Sequence, residues 1–294
     1  MRQDSIAALA RALAHPRFEV VPLRGVEEQA RHLPHGAKVT VTCSPARGID
    51  NTLRHAEQLA GQGLQVIPHI SARLVVDRAH LKDIVQRLDA LGLREIFVIG
   101  GDVQQPAGSF SSALDLLRAL ADVGHDLAQI GIAAYPERHP LVDEAALRRA
   151  LAHKQPFATY MVTQICFDPG VIMRWLAGVR QQGIVLPVHI GVPGVLDSRQ
   201  LLRISMKIGV GDSMRFLSKH TSLAARLVRP GRYAPDRLVA GLAPYLDDPH
   251  YNIGGLHINT FNQVQSTETW RQQVLKRGDG RITPRAARHM LVDR

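Results

Sequence analysis

Eight short runs of aliphatic and β-branched residues recur along this 294-residue chain, and each is followed by a segment with helical periodicity. The runs are RFEVVP (17–22), KVTVTC (38–43), LQVIPHI (64–70), EIFVIGG (95–101), QIGIAAY (129–135), ATYMVTQICF (158–167), IVLPVHIGV (184–192) and GGLHINT (254–260). Their apolar character is near-continuous rather than alternating, which is the pattern of parallel strands buried on both faces. Between them, Leu81, Ile84, Val85, Leu88 and Leu91 share one helical stripe, and Phe110, Ala113, Leu114, Leu117 and Leu120 share another. Eight unbroken β/α alternations predict an α/β protein with one (β/α)8 TIM-type barrel across 1–294, since such barrels reach about 250 residues or more as one domain. An open doubly wound sheet is the competing arrangement, but no G-x-G-x-x-G follows the first run, where a dinucleotide fingerprint belongs. The stretch from about 197 to 250 exceeds an ordinary crossover. Helical patterns at 197–207, 211–227 and 235–245 predict an extended helical segment between strands seven and eight.

Hydrophobic residues make up 45% of the chain and charged ones 21%, enough apolar material for a sizeable core. No run approaches the roughly 18 apolar residues of a transmembrane helix. The opening MRQDSIAALARALAHPRF is amphipathic and lacks the apolar block of a secretory signal. Cys43 and Cys166 show no metal-ligand spacing and fall on strands that face each other across a barrel, so both are expected to be reduced. A cytoplasmic protein without a metal or a membrane partner is the expectation. The net charge of +10 is spread as arginine through almost every segment, without stacked aromatics or a nucleic-acid module. It is taken as a solvated basic surface that also attracts anionic small molecules, not as a nucleic-acid site.

In a barrel of this kind the chemistry sits at the C-terminal ends of the strands. Polar residues at those ends are Glu19, Thr42, His69, the Gly100-Gly101-Asp102 turn, the segment Tyr135 to Pro140, Gln164, and His257 with Asn259. Glu19 stands out, because carboxylates are normally excluded from strand interiors. Each residue also has an ordinary role open to it. Glu19 can pair with a buried arginine, Thr42 is a common strand residue, His69 can be a satisfied core histidine, Asp102 can cap a turn, and Gln164 can satisfy rim backbone. His153 and His189 are given no role. The convergence of polar groups from seven strands on one mouth favours a site.

These residues together resemble the 5,10-methylenetetrahydrofolate reductase family. Phe18-Glu19-Val20-Val21-Pro22-Leu23-Arg24 is similar to the family's F-E-F-F-P-P-R, and Val39-Thr40-Val41-Thr42 and Pro68-His69-Ile70 to its second and third strands. Gly100-Gly101-Asp102 resembles its G-D turn, with Phe110, Ala113, Asp115 and Leu116 downstream in an F-x-x-A-x-D-L pattern. Tyr135-Pro136-Glu137-Arg138-His139-Pro140 is similar to its Y-P-E-x-H-P and Thr163-Gln164-Ile165-Cys166-Phe167-Asp168 to its T-Q-x-x-F-D, the most specific pair. The match runs in order from about residue 17 to 262.

The resemblance implies a reductase of one-carbon metabolism that makes 5-methyltetrahydrofolate from 5,10-methylenetetrahydrofolate, with FAD at the mouth and NADH or NADPH as electron donor. Glu19 would protonate N10 of the folate, and Asp102 would stabilise the iminium cation and contact the flavin. Gln164 and Asn259 would bind the folate alongside Glu19. Thr42, His69, Gly101, Ala113, Tyr135 and His139 would contact the flavin, and Arg149 and Lys154 would serve its phosphates. A carboxylic acid beside Phe18 and Val20 is expected to be pushed up towards neutrality, which would suit a proton donor. The chain departs from the family in the helix after strand five, where Ala145 to Lys154 lacks most of the usual diphosphate and ribose partners. It departs again in strand eight, where His257-Ile258-Asn259-Thr260-Phe261-Asn262-Gln263 lacks the family's Tyr and Arg. A flavin-free reductase taking hydride directly from NAD(P)H, or a folate-binding relative without activity, are the alternatives. A homo-oligomer is compatible with the sequence.

Overall fold

A computed structural model describes residues 3–137, 142–197, 200 and 232–278. Eight parallel strands close into a barrel in the order β1-β10-β7-β6-β5-β4-β3-β2. They are β1 (Arg17–Val20), β2 (Lys38–Val41), β3 (Gln65–Ser71), β4 (Glu95–Ile99), β5 (Gln129–Ala134), β6 (Tyr160–Thr163), β7 (Val188–Pro193) and β10 (Ile253–Asn259). A two-residue antiparallel ribbon, β8 (Leu196–Asp197) with β9 (Arg232–Tyr233), stands apart from it. All eight expected strands are present. The helical pattern at 235–245 is α8 (Asp236–Leu242) followed by a short 3-10 turn, whereas the patterns at 197–207 and 211–227 lie outside the described residues.

Several strands are shorter than their apolar runs, for local reasons. After β6 the side-chain oxygen of Gln164 accepts from the N–H of Ile165, which takes that donor out of the ladder. Before β7, the Arg180 guanidinium holds the carbonyl of Ile184 and Gln155 holds the N–H of Val185, so 184–187 forms a braced connection. Pro187 has no N–H to offer a ladder in any case.

The helices cover the outside of the barrel. α1 (Gln3–Ala14) packs against α9 (Val264–Gly278), and α2 (Val26–Ala30), α3 (Gly48–Ala60), α4 (Arg78–Ala90), α5 (Ala113–Val123), α6 (Glu144–Lys154) and α7 (Pro169–Gln181) follow their strands in turn. Their starts are specified by capping. The Asp77 side chain accepts from the N–H of His80 at α4, Ser112 and Asp115 form a reciprocal capping box at α5, and Asp168 precedes Pro169 at α7.

Strand alternation creates two cores. Outward-facing Phe18, Val20, Val39, Val41, Val98 and Ile132 join the helices in the large outer layer. Inside the barrel, Ile67, Phe97, Tyr160 and Val162 form a separate plug supplied by β3, β4 and β6. On β5, Gly131 lies against the Tyr160 ring, where a Cβ would collide with it. The inward residues of β1, β2 and β10 are polar: Arg17, Glu19, Lys38, Thr40, His257 and Asn259. At the floor, Arg17 pairs with Glu95 and lies 4.2 Å above the Tyr160 ring, while Lys38 Nζ reaches the other Glu95 oxygen at 2.8 Å. Cys43 and Cys166 are buried beyond the ends of β2 and β6, and neither is in a disulfide.

Removing the floor carboxylate should leave a guanidinium that is only 5% exposed without its partner. Glu95→Ala is therefore expected to lower unfolding free energy by about 3–5 kcal/mol, measured by denaturant titration. A loss under about 1 kcal/mol would show that the floor network contributes little to folding.

Candidate functional site

The C-terminal mouth gathers side chains from β1, β2, β3, β10 and the loops after β4, β5 and β6. Glu19 faces inward on β1, in register with Thr40 of β2 and Asn259 of β10. Its Oε2 is 3.1 Å from Nε2 of His257 and 3.8 Å from Nε2 of His69. His257 is 1% exposed, and its Nδ1 has no hydrogen-bond partner; neither has Nε2 of His69. The His69 ring rests on Phe97, with 4.7 Å between centroids.

Burial pushes the Glu19 carboxyl up, but the hydrogen bond from His257 and the fields of His257 and His69 outweigh it, so Glu19 lies below its ordinary value. This corrects the expectation of a carboxyl raised towards neutrality. Phe18 and Val20 point to the opposite face of β1, into the outer core, and are not the surroundings of the carboxylate. Nor is its partner an arginine, because Arg17 is engaged by Glu95 one layer below.

The backbone of Glu19 is clamped by the turn after β10. Thr260 Oγ1 donates to the Glu19 carbonyl at 2.7 Å, and Asn262 both accepts from the N–H and donates to the carbonyl of Val21, at 2.8 and 2.9 Å. Phe261 and Asn262 have φ of 48° and 62°, a left-handed conformation that is costly for a bulky residue such as Phe261. Sequence reasoning passed over Thr260 and Asn262; the only available signal was a turn-forming asparagine directly after the strand.

The remaining expected residues fall as follows. Thr42 follows β2 at the mouth, half-buried, with its N–H on the carbonyl of Val20. Gly101 adopts φ 94° against Ser71, where a Cβ would meet the hydroxyl. Asp102 is exposed at the loop after β4, and its field, second to burial, raises Tyr135. That loop is strapped down by Arg73, whose guanidinium donates to the carbonyls of Val103 and Ser111. Gln164 uses its oxygen on Ile165 N–H, which leaves its amide N–H2 to donate. Asn259 is buried on the inner face beside Glu19. Ala113 opens α5 with its side chain in the outer core, so only its backbone is available to the mouth. His139 lies outside the described residues.

The groups expected to hold a flavin's diphosphate do not make a site for it. Lys154, in the last turn of α6, donates to the Ala133 carbonyl at 3.1 Å, and burial brings it down to about 8. Arg149 is exposed, Arg148 is paired with Glu144, and the start of α6 carries two carboxylates, Asp143 as its N-cap and Glu144 in its first turn. Carboxylates there oppose the anion attraction a helix N-terminus otherwise provides. Among the described residues, no group of His, Cys, Asp or Glu is arranged to hold a metal, and no helix is long and apolar enough to cross a membrane.

The family model described as Methylenetetrahydrofolate reductase matches residues 23–270. A 5,10-methylenetetrahydrofolate reductase of Pectobacterium carotovorum is 30% identical over 151 residues, half of each chain. Methylenetetrahydrofolate reductase 2 of Saccharomyces cerevisiae is 26% identical over 58% of this chain and 30% of its own length. The enzyme of the same name from Schizosaccharomyces pombe is 19% identical over 74% of this chain and 39% of its own. The matched stretches thus span half or less of these relatives.

Burial holds His69 near 4 and His189 near 2, against 6.5 for a free imidazole. Both are lowered in the folded state, so the stability they contribute is complete above about pH 6.5 and falls as the unfolded chain takes up protons below it. For His69 the loss between about pH 7 and pH 4 is of order 3 kcal/mol. Denaturant unfolding at those two pH values should show His69→Gln removing about that much of the drop, with the His189 part remaining. An unchanged drop would contradict a neutral, buried His69.

Proposed function

The chain belongs to the methylenetetrahydrofolate reductase family, and on that premise we propose that it reduces 5,10-methylenetetrahydrofolate to 5-methyltetrahydrofolate at the barrel mouth, with hydride from NADH or NADPH. The observation that carries the reading is Glu19, an inward carboxyl at the mouth with a histidine on one oxygen. Ring opening of the folate needs a proton at N10. Glu19 supplies it, having taken up a proton once bound folate displaces water from the mouth and leaves its carboxylate without solvation; the C–N bond breaks with its electron pair left on N10, and the lone pair of N5 forms the iminium that accepts hydride. Asp102, anionic and exposed at the mouth, offsets the developing positive charge. Gln164 and Asn259 orient the pterin through hydrogen bonds, Gln164 as a donor because its oxygen is already used. The apolar cluster of Ile67, Phe97, Tyr160 and Val162 fills the barrel interior beneath the mouth.

Among the described residues, neither Lys154, held on the Ala133 carbonyl, nor exposed Arg149 makes a diphosphate site at α6, which favours direct hydride transfer from the nicotinamide over transfer through FAD. A colourless purified protein that reduces the folate with NAD(P)H, without added FAD, is the expected result. Activity that appears only on titration with FAD would restore the flavin route.

Glu19→Gln retains an oxygen to accept from His257 but has no proton to give. Turnover of methylenetetrahydrofolate should fall by about 10²–10⁴-fold, with little change in melting temperature. A variant that melts much earlier yet turns over normally would remove Glu19 from the mechanism.

A further inference from the structure

We propose that Arg73 is a positioning residue for Asp102. Its guanidinium fixes where the Asp102 carboxylate stands at the mouth, and so how well that carboxylate offsets the charge of the iminium. The inference rests on the reading of Asp102 as the group that meets this charge.

No side-chain contact holds Asp102 in place. It is exposed, and among the described residues its carboxylate makes no hydrogen bond or ion pair. Its position is therefore set by the backbone of the loop that runs from Gly100 to Ser112. An exposed loop left untied samples many conformations. Electrostatic help to a developing cation requires a charge already in place, and a misplacement of about 1 Å can cost about 10²-fold in rate.

Arg73 sits half-buried in the short turn after β3 and grips both limbs of this loop. One terminal nitrogen donates to the carbonyl of Val103, directly after Asp102, at 2.9 Å. Nε donates to the carbonyl of Ser111 at 2.8 Å, on the returning limb. The Arg73 N–H also donates to the Gly100 carbonyl at 3.0 Å, and its own carbonyl accepts from the N–H of Ala107 at 2.9 Å. Ser111 is itself fixed, because Asp115 Oδ2 accepts from its N–H at 3.1 Å and from its hydroxyl at 2.8 Å, within the cap that starts α5. The guanidinium thus carries the rigidity of α5 across the loop to the residue beside Asp102. Glycines let the loop lie this close: a Cβ on Gly101 would strike the Ser71 hydroxyl, and one on Gly108 the Val76 carbonyl. A planar guanidinium holds its donors in fixed directions and can bridge two carbonyls. An ammonium on a flexible stem keeps the charge without that bridge.

The test compares wild type, Arg73→Ala, Arg73→Lys, Asp102→Asn and the double variant Arg73→Ala with Asp102→Asn. Steady-state kinetics with methylenetetrahydrofolate and NAD(P)H are read beside amide hydrogen exchange of the loop without substrate. In both Arg73 variants kcat should fall by about 10–10²-fold, with KM changed by less than about twofold, because the groups proposed to bind the pterin are untouched. The amides of 101–107 should exchange faster while those of α5 do not. The double variant should be no slower than Asp102→Asn, since both losses run through the same carboxylate. Wild-type kcat in Arg73→Ala, with Asp102→Asn impaired, overturns this inference and leaves the reading of Asp102 standing. So does a double variant slower than Asp102→Asn by the full Arg73→Ala factor. A lysine that restores turnover would give Arg73 a role through its charge and also overturns it, as does unchanged loop exchange in Arg73→Ala. Full turnover by Asp102→Asn overturns both readings. Should Arg73→Ala fail to fold, Arg73→Lys carries the same comparisons, alone and with Asp102→Asn.

Discussion

Arg17 and Glu19 point the same way from a four-residue strand into a closed barrel, and each charge needs a partner there. Alternation leaves no other option, because Phe18 and Val20 fill the outer core from the opposite face. Arg17 is met at the floor by Glu95, which also holds Lys38, so that layer is a closed ionic network over the Tyr160 ring. Glu19 is met one layer higher by His257, and above it lies the mouth. Both layers keep buried polar atoms without a partner, Arg17 Nε and Tyr160 OH at the floor and ring nitrogens of His257 and His69 above, but only the upper layer adjoins the mouth.

The architecture was legible in the sequence because buried parallel strands announce themselves as continuous apolar runs, and eight of them alternating with helices admit few arrangements. The mouth was legible in outline for the same reason, since strand ends follow from strands. What the sequence could not supply was which polar residue faces which. The flanks of Glu19 suggested an apolar setting, yet sequence neighbours on a strand are on the opposite face. Its true neighbour, His257, is distant by 238 positions and arrives through barrel closure. Thr260 and Asn262 were hidden for a related reason. Their importance lies in holding the backbone of β1, across the seam where the barrel closes, and nothing local in T-F-N reports that.

The depleted helix after β5 acquires a physical meaning in the folded chain. Lys154 has a cationic head of the type a phosphate needs, but it is at the wrong end of α6 and bound to the Ala133 carbonyl. The end of α6 near the mouth carries Asp143 as its cap and Glu144 in its first turn. Glu19, Asp102 and Gln164, the residues proposed to meet the folate, face no comparable conflict, and the proposal that nicotinamide and folate meet directly rests on that contrast.

The most direct test follows the hydride itself. Purified protein would be given methylenetetrahydrofolate and NADH or NADPH carrying deuterium at the transferable C4 position, and the product analysed by mass spectrometry. Direct transfer, as proposed, predicts 5-methyltetrahydrofolate with one deuterium retained in its methyl group, because a hydride passed directly from nicotinamide never reaches an exchangeable site. Product without deuterium would show passage through a carrier such as flavin. No 5-methyltetrahydrofolate from folded protein with either nucleotide, with or without added FAD, would contradict the assignment of this barrel as a reductase.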